Sequence, residues 1–508
     1  MSASARFSAI VLPAHGAPHA VDITRRSLVA ADPKVDVVIP ANASVDAVAA
    51  AVRDARGEFV MFVAPGDTVS ADLFTTYATV LADDTVDAVY GDEDRIDDGV
   101  RVEPWYKPDW SPDRFACQQY LGHVVALRRS LLLEAGGIDP DAGAAFEWDA
   151  LLRVTERARQ VRHVREVVVH RSSDPSSPDD VAATTRVLQQ HLVRTGVPAI
   201  VAVDEHGVFG LEPALHTEPL VSIVIPTGGT GRRIRGAHEA LVEHCVRSVA
   251  TRSTYRNIEI VCVIDGQMPP HVIKAVDSIA GVHVRWVRSD PPFSFSGRIN
   301  DGVLAARGEY VILLNDDTEV ITPNWIEHLM VHAADPEVGS VGARLLFEDG
   351  RIQHAGIVAI GGDPGHPYYG FPAAERGYHD QLVVPTNCLA VTAGCLMTRR
   401  DTFLAVGGMS LLLPLNYNDV DFGLKLRAAG LRTVCTPKAQ LWHFESSSRG
   451  WGPVEGWEHD VVLARWRSVL NDDPYHNPNF LPTADFVALD SMNGRTPRDL
   501  GIVAVPPL

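Results

Sequence analysis

Three segments of this chain occur twice, in the same order. Gly57-Glu58-Phe59-Val60-Met61-Phe62-Val63 followed by Asp67-Thr68 parallels Gly308-Glu309-Tyr310-Val311-Ile312-Leu313-Leu314 followed by Asp317-Thr318. Leu127-Arg128-Arg129 with Gly136-Gly137 parallels Thr398-Arg399-Arg400 with Gly407-Gly408. Phe146-Glu147-Trp148-Asp149 and then His170 parallels Asn418-Asp419-Val420-Asp421 and then His443. Asp149 lies 21 residues before His170, and Asp421 lies 22 before His443. The period is far longer than the roughly 20–50 residues of a solenoid, so the reading is two copies of one fold.

The second copy has the clearer pattern. Leu220-Val221-Ser222-Ile223-Val224-Ile225-Pro226-Thr227 is an apolar run closed by proline, as in a strand buried on both faces. Helical periodicity over 237–250, 272–279 and 298–306 alternates with strand patterns at Ile258–Ile264, 282–287 and Tyr310–Leu314. This order predicts an open α/β sheet, mostly parallel, with helices on both faces. Ligands of such sheets bind at the carboxyl ends of the strands, where Thr227, Asp265, Asn315, Asp316 and Asp317 fall. Residues 172–180 form a polar, Pro-rich break ahead of a predicted helix Val181–Thr195 and a short strand pair within 199–209. The expected divisions are a first domain at 1–171, a linker at 172–218, a second domain at 219–480 and a tail at 481–508.

Bulk properties exclude several classes of function. The chain has 508 residues, 46% of them hydrophobic, which is enough to bury large cores. A net charge of −19 argues against nucleic acid as the main partner and against broad adhesion to anionic lipid. The six cysteines include no CxxC pair and read as buried free thiols of a reducing compartment. No apolar run reaches the roughly 18 residues of a membrane helix. The short apolar stretch 7–14 reads as a first strand, not a signal peptide. The expectation is a cytoplasmic protein, held at the inner face of the cell membrane through partners where it meets one.

Sugar transfer from a nucleoside diphosphate needs three kinds of group. A divalent cation neutralises the leaving diphosphate, a carboxylate deprotonates the acceptor hydroxyl, and a polar group at a strand end meets the nucleobase. Asn315-Asp316-Asp317 closes a strand, which makes Asp317 a candidate metal ligand and places Asp316 near the ribose or metal. Asp419 opens a helical pattern, where the helix dipole keeps a base ionised. His443 follows the apolar run Ala439-Gln440-Leu441-Trp442, which returns it toward the same edge. Each alone has an ordinary reading: a solvated turn, a helix cap, a packed histidine. Their order on one scaffold carries the argument.

That constellation resembles the family 2 glycosyltransferases of GT-A fold, in particular the bacterial polysaccharide and O-antigen group of rhamnosyltransferase type. The resemblance rests on Val224-Ile225-Pro226-Thr227, Ile299-Asn300, Leu314-Asn315-Asp316-Asp317-Thr318, Gln353-His354-Ala355-Gly356, Thr392-Ala393-Gly394-Cys395, Asn418-Asp419-Val420-Asp421-Phe422, His443-Phe444-Glu445-Ser446, Ser448-Arg449-Gly450 and Asp473-Pro474-Tyr475. It spans roughly residues 219–480. It implies two GT-A-like, Rossmann-related domains, the first abridged, and an inverting transfer from a nucleotide-diphosphate sugar to a glycan or lipid-linked acceptor. By position, Asp317 and His443 would hold Mn2+ or Mg2+, and Asp419 would be the base. Pro226, Thr227, Asp265, Asn300, Asn315 and Asp316 would line the donor pocket, and Gly394 and Asp421 the acceptor side. Asn315 departs from the usual first Asp of the motif.

The first copy is shorter in its nucleotide half. Nineteen residues separate Ile39 from Phe59, against forty-five between Ile264 and Tyr310, so a strand and its helix are missing. Pro40-Ala41 stands where Asp265 would be and Pro65 where Asn315 would be, although Asp67, Glu147 and His170 fill the metal and base slots. The expectation is a degenerate copy that binds acceptor, supports the second copy or forms a dimer surface. Tyr90-Gly91-Asp92-Glu93-Asp94 reads as a solvated acidic loop; Trp105-Tyr106-Lys107-Pro108-Asp109-Trp110 reads equally as a carbohydrate-binding loop or as core. Residues 361–377, rich in Gly and Pro, read as a lid or an acceptor wall. Alternatives are a bifunctional enzyme, a sugar nucleotidyltransferase using Thr227-Gly228-Gly229-Thr230-Gly231-Arg232-Arg233 as a triphosphate loop, or a glycan-binding scaffold.

Overall fold

A computed structural model describes residues 7–13, 18–97, 100–172, 180–289, 292–444 and 456–487. The Ser448-Arg449-Gly450 motif, residues 173–179 of the polar break and most of the expected tail lie outside the described residues.

The larger sheet runs Val284–Arg288, Ile258–Ile264, Val221–Pro226, Tyr310–Leu314, Cys395–Arg399, Val338–Leu346, Arg432–His443 and Thr318–Val320 in spatial order. Its first four strands are parallel, and Cys395–Arg399 enters antiparallel. Alternation divides each central strand between two layers. Ile223 and Ile225 join a core with Val242, Val246 and Val249 of helix Leu241–Arg252. Val224 points the other way, into a core with Ile299 and Val303 of helix Phe295–Ala305. That second helix is capped by Ser294, whose hydroxyl accepts the Gly297 amide at 3.0 Å. It approaches so closely that a Cβ on Gly302 would lie 2.3 Å from Val224.

The helix predicted over 237–250 starts later, at Leu241. Gly231–Ile234 and Ala237–Ala240 form a hairpin instead, turned by Arg235 and Gly236, both at positive φ. The 227–233 segment therefore enters a hairpin arm and is not a triphosphate loop leading into a helix.

The smaller sheet repeats the larger one in the same register. Phe59 pairs with Arg128 as Tyr310 pairs with Arg399. Thr68 pairs with His170 as Thr318 pairs with His443. Among the described residues its parallel edge ends at Asp36–Val38, with no counterpart of Val284–Arg288. Tyr90–Asp94, expected as a solvated loop, lies inside strand Val86–Asp97 with all three carboxylates buried. Partners distant in sequence make this tolerable: Lys107 for Glu93 at 3.1 Å, His163 for Asp92 at 2.9 Å and His170 for Asp94 at 2.6 Å.

The two sheets are joined by a polar, aromatic contact. Trp105 stacks on His379 with centroids 4.3 Å apart, and Tyr106 meets Phe480 edge-on at 5.7 Å, so this aromatic segment is core. Asn477 donates to Asp92 at 2.9 Å. Helix Val181–Thr195 contributes Val187 and Leu188 to the first core. Its Leu192 packs with Leu211 of the following hairpin and with Val331 and Val384 of the second copy. The segment between the copies is thus wedged into both. All six cysteines are buried and unpaired.

Candidate active site

Strand Tyr310–Leu314 delivers Asn315, Asp316 and Asp317 to the sheet's carboxyl edge. Asp316 and Asp317 are nearly buried. The Thr227 hydroxyl donates to Asp316 at 2.6 Å, tying the end of strand Val221–Pro226 to that of its neighbour Tyr310–Leu314. Burial, and then the charge of Asp317, push the Asp316 carboxyl up from its ordinary range. Burial acts in the same sense on Asp317, but His443 outweighs it and holds that carboxyl below the usual range.

The orientation of His443 is fixed by Gln353, whose amide oxygen faces Nδ1 at 2.5 Å. A carbonyl oxygen can only accept, so Nδ1 carries a proton, and in its neutral form the imidazole presents an Nε2 lone pair. That lone pair lies 3.1 Å from Asp317 Oδ1 and 3.1 Å from the Asn315 amide nitrogen. Two acceptors in contact need a proton or a cation between them. The donor set, one carboxylate and one imidazole held by an outer hydrogen bond, fits a divalent ion. Among the described residues no three His, Cys, Asp or Glu side chains converge there.

At the end of the neighbouring strand, Asp265 is held by Arg298 at 2.6 Å, and Arg298 also donates to the Thr227 carbonyl at 3.1 Å. Arg298 is nearly buried and was missed in the sequence, where it is a single basic residue on an otherwise apolar helix face. Pro226 ends its strand in register with Val263, and the Thr227 amide donates to the Val263 carbonyl at 2.9 Å. Asn300 is not brought to this pocket. Its amide donates to the Met409 carbonyl and accepts the Met409 amide, each at 2.9 Å, so it braces the chain after Gly408.

Asp419 sits in the first turn of helix Asn418–Ala428, entered through Tyr417 at φ 55°. It accepts the Ala393 amide at 3.2 Å. The next residue, Gly394, lies against His443: a Cβ there would be 3.5 Å from the imidazole. Asp317, His443, Gly394 and Asp419 thus follow one another around one edge. Asp421 does not join them. It is fully buried, receives Trp466 at 2.9 Å and Arg465 at 3.0 Å, and anchors helix Gly456–Leu470, which corrects its acceptor-side assignment.

Residues 222–403 match the profile of Glycosyl transferase family 2. The second copy therefore carries a domain of this family. Over 490 residues it is 35% identical to the uncharacterized protein y4gI of Sinorhizobium fredii (strain NBRC 101917 / NGR234), covering 91% of this chain and 53% of that one. Over 445 residues it is 32% identical to the O-antigen biosynthesis protein RfbC of Myxococcus xanthus, covering 84% and 34%. A 159-residue stretch is 26% identical to an N-acetylglucosaminyl-diphospho-decaprenol L-rhamnosyltransferase of Mycobacterium tuberculosis, covering 29% and 50%. The chain spans about half or less of the length of these relatives. Among solved structures, GalNAc-T7 with UDP, GalNAc and Mn2+ aligns at 16% identity and TM-score 0.41, covering 54% of this chain and 53% of that one.

The first copy has residues at the corresponding positions but partners them differently. His170 turns to Asp94, and Asp67 accepts the Ser172 amide at 2.9 Å. His123, five residues before Arg128 as Gly394 is before Arg399, lies 3.0 Å from Glu147 in the base slot. The Glu147 charge, against the opposing effect of burial, pushes the His123 imidazole up to about 9. A cation of the protein itself thus pairs with the carboxylate that corresponds to Asp419.

Proposed function

We propose that the second copy transfers a sugar, with inversion, from a nucleotide-diphosphate sugar to a hydroxyl of a glycan or lipid-linked acceptor in cell-envelope polysaccharide synthesis. The observation that carries the reading is the facing Asp317 and His443 pair, 3.1 Å apart, on the same edge as Asp419. Asp317 and His443 would hold Mn2+ or Mg2+, which when bound supplies positive charge against the leaving diphosphate. Asp265, aligned by Arg298, meets the nucleobase, while Thr227, Asn315 and Asp316 border the ribose and diphosphate. Asp419 takes the proton of the acceptor hydroxyl as its oxygen bonds to the anomeric carbon and the bond to diphosphate breaks. Gly394 leaves room for the acceptor to approach. The names of the relatives favour an O-antigen-like glycan, with rhamnose as the first donor to try. No described helix is long and apolar enough to cross a membrane. A lipid-linked acceptor would be met at the inner face of the cell membrane.

The test is turnover of UDP-, GDP- and dTDP-sugars with Mn2+ or Mg2+. Metal-dependent release of nucleoside diphosphate, abolished by Asp317→Asn and cut by about 10²–10⁴ in Asp419→Asn, is expected. Full transfer by Asp419→Asn would remove it as the base, and no turnover of any donor would favour a glycan-binding scaffold.

A further inference from the structure

The loop 361–381 borders this site and is held from outside it. The Tyr378 hydroxyl accepts the Tyr106 amide of the first copy at 3.1 Å, and the His379 carbonyl accepts Arg114 and Gln118, each at 2.9 Å. Tyr368 stacks on Phe486 and takes the Tyr378 amide on its hydroxyl at 2.7 Å. A loop fastened at both the first copy and Phe486 is a fixed wall, not a closing lid.

One side chain on this wall, His366, stands in a defined chemical state. Its Nδ1 is 2.9 Å from Nδ1 of His354, which is buried. Nε2 of His354 receives two backbone amides, Gly356 at 3.4 Å and Thr392 at 3.3 Å. An imidazole nitrogen that accepts carries no proton, so His354 is protonated on Nδ1 and donates to His366. His366 Nδ1 is then the acceptor, and its proton must sit on Nε2. No described residue receives a hydrogen bond from that Nε2. The pair is also adjacent to the base. Consecutive amides of one turn divide between them, Thr392 to His354 and Ala393 to Asp419. Burial holds the His366 imidazole below its ordinary range, and the Asp419 charge works against that.

We propose that His366 is an acceptor-binding residue: His354 fixes it as the neutral Nε2–H tautomer, and that N–H donates to an oxygen of the acceptor sugar beside the hydroxyl that Asp419 deprotonates. This rests on the transfer reaction proposed above. A permanently oriented donor discriminates among hydroxyl patterns, because an acceptor lacking the matching oxygen leaves the N–H unpaired. The first copy's contribution is to hold the wall that carries it.

Two measurements test this. Long-range ¹H–¹⁵N imidazole spectra of the full chain, with the His366 signals identified by their loss in His366→Gln, should show the neutral Nε2–H form at pH 7.5. A proton on Nδ1 would overturn the proposal. Transfer to a panel of p-nitrophenyl glycosides should show the acceptor KM raised about tenfold in His366→Phe, with kcat changed less, and substantially restored in His366→Gln, which regains an N–H. Calorimetric binding of UDP, GDP or dTDP with Mn2+ serves as the control for folding. An unchanged acceptor KM in a His366→Phe variant that binds nucleotide normally would refute the role of His366 and leave the transfer reading intact. Absence of nucleotide binding by the wild type would instead count against the transfer reading, and the spectra would still decide the tautomer.

Discussion

Asp113→Asn should weaken the joint between the two copies by an amount the structure allows to be worked out. Asp113 sits on a single helical turn of the first copy, with its side chain 8% exposed. Its Oδ2 receives Arg432 and Asn387 of the second copy, each at 2.8 Å, and its Oδ1 lies 3.2 Å from His332. Burial raises this carboxyl, but Arg432 and His332 outweigh it and hold the group far below the usual range. Breaking a buried pair from one side costs about 3–5 kcal/mol. Arg432 keeps Asp335 and Glu337, so the lower end applies, about 3 kcal/mol. A depressed carboxylate contributes stability above its unfolded pKa and loses it below. The difference between wild type and Asp113→Asn should therefore be full at pH 7 and shrink as pH falls below about 4. Urea unfolding followed by tryptophan fluorescence reads both. A loss under about 1 kcal/mol at pH 7, or one that grows on acidification, would refute the reasoning.

Two further outcomes follow from packing and burial. Gly302→Val should destabilise the second copy by about 3 kcal/mol or prevent its folding, because Val224 and Val263 already lie 2.3 and 2.8 Å from a Cβ there; wild-type urea stability would contradict the close approach. His328 and His476 are buried and, chiefly through burial, held down to about 4. For a base with a depressed folded pKa, the unfolded chain binds the extra proton first. Stability should fall as pH drops from about 6.5 toward 4, and His476→Phe should flatten that slope in thermal scans at stepped pH.

The parts of this molecule visible in its sequence are those governed by local periodicity. Tyr310–Leu314 and, beyond Glu259, Ile260–Ile264 are apolar on both faces, so both segments read as strands, and the structure gives Tyr310–Leu314 and Ile258–Ile264 as their bounds. Helix Val181–Thr195 read correctly from its period, with Asp180 and Gly196 as its caps. What did not read was partnership across the chain. Asp92, Glu93 and Asp94 look solvated until Lys107, His163 and His170 arrive from elsewhere in the fold. Asp421 and Asn300 look functional until Arg465, Trp466 and Met409 occupy them. His366 had no local signal, since its state is set by His354 and by two backbone amides. The hairpin at 231–240 was hidden because its second arm, Ala237–Ala240, runs directly into helix Leu241–Arg252 and shares its apparent period.

The central claim is that the Asp317, His443 and Asp419 constellation is attached to a complete nucleotide pocket once in this chain. Titration of the full chain with UDP, GDP or dTDP in the presence of Mn2+ tests it most directly. One site per chain is predicted, lost in Asp317→Asn and retained in Asp67→Asn. Two sites per chain, or binding that survives Asp317→Asn and disappears in Asp67→Asn, would contradict it.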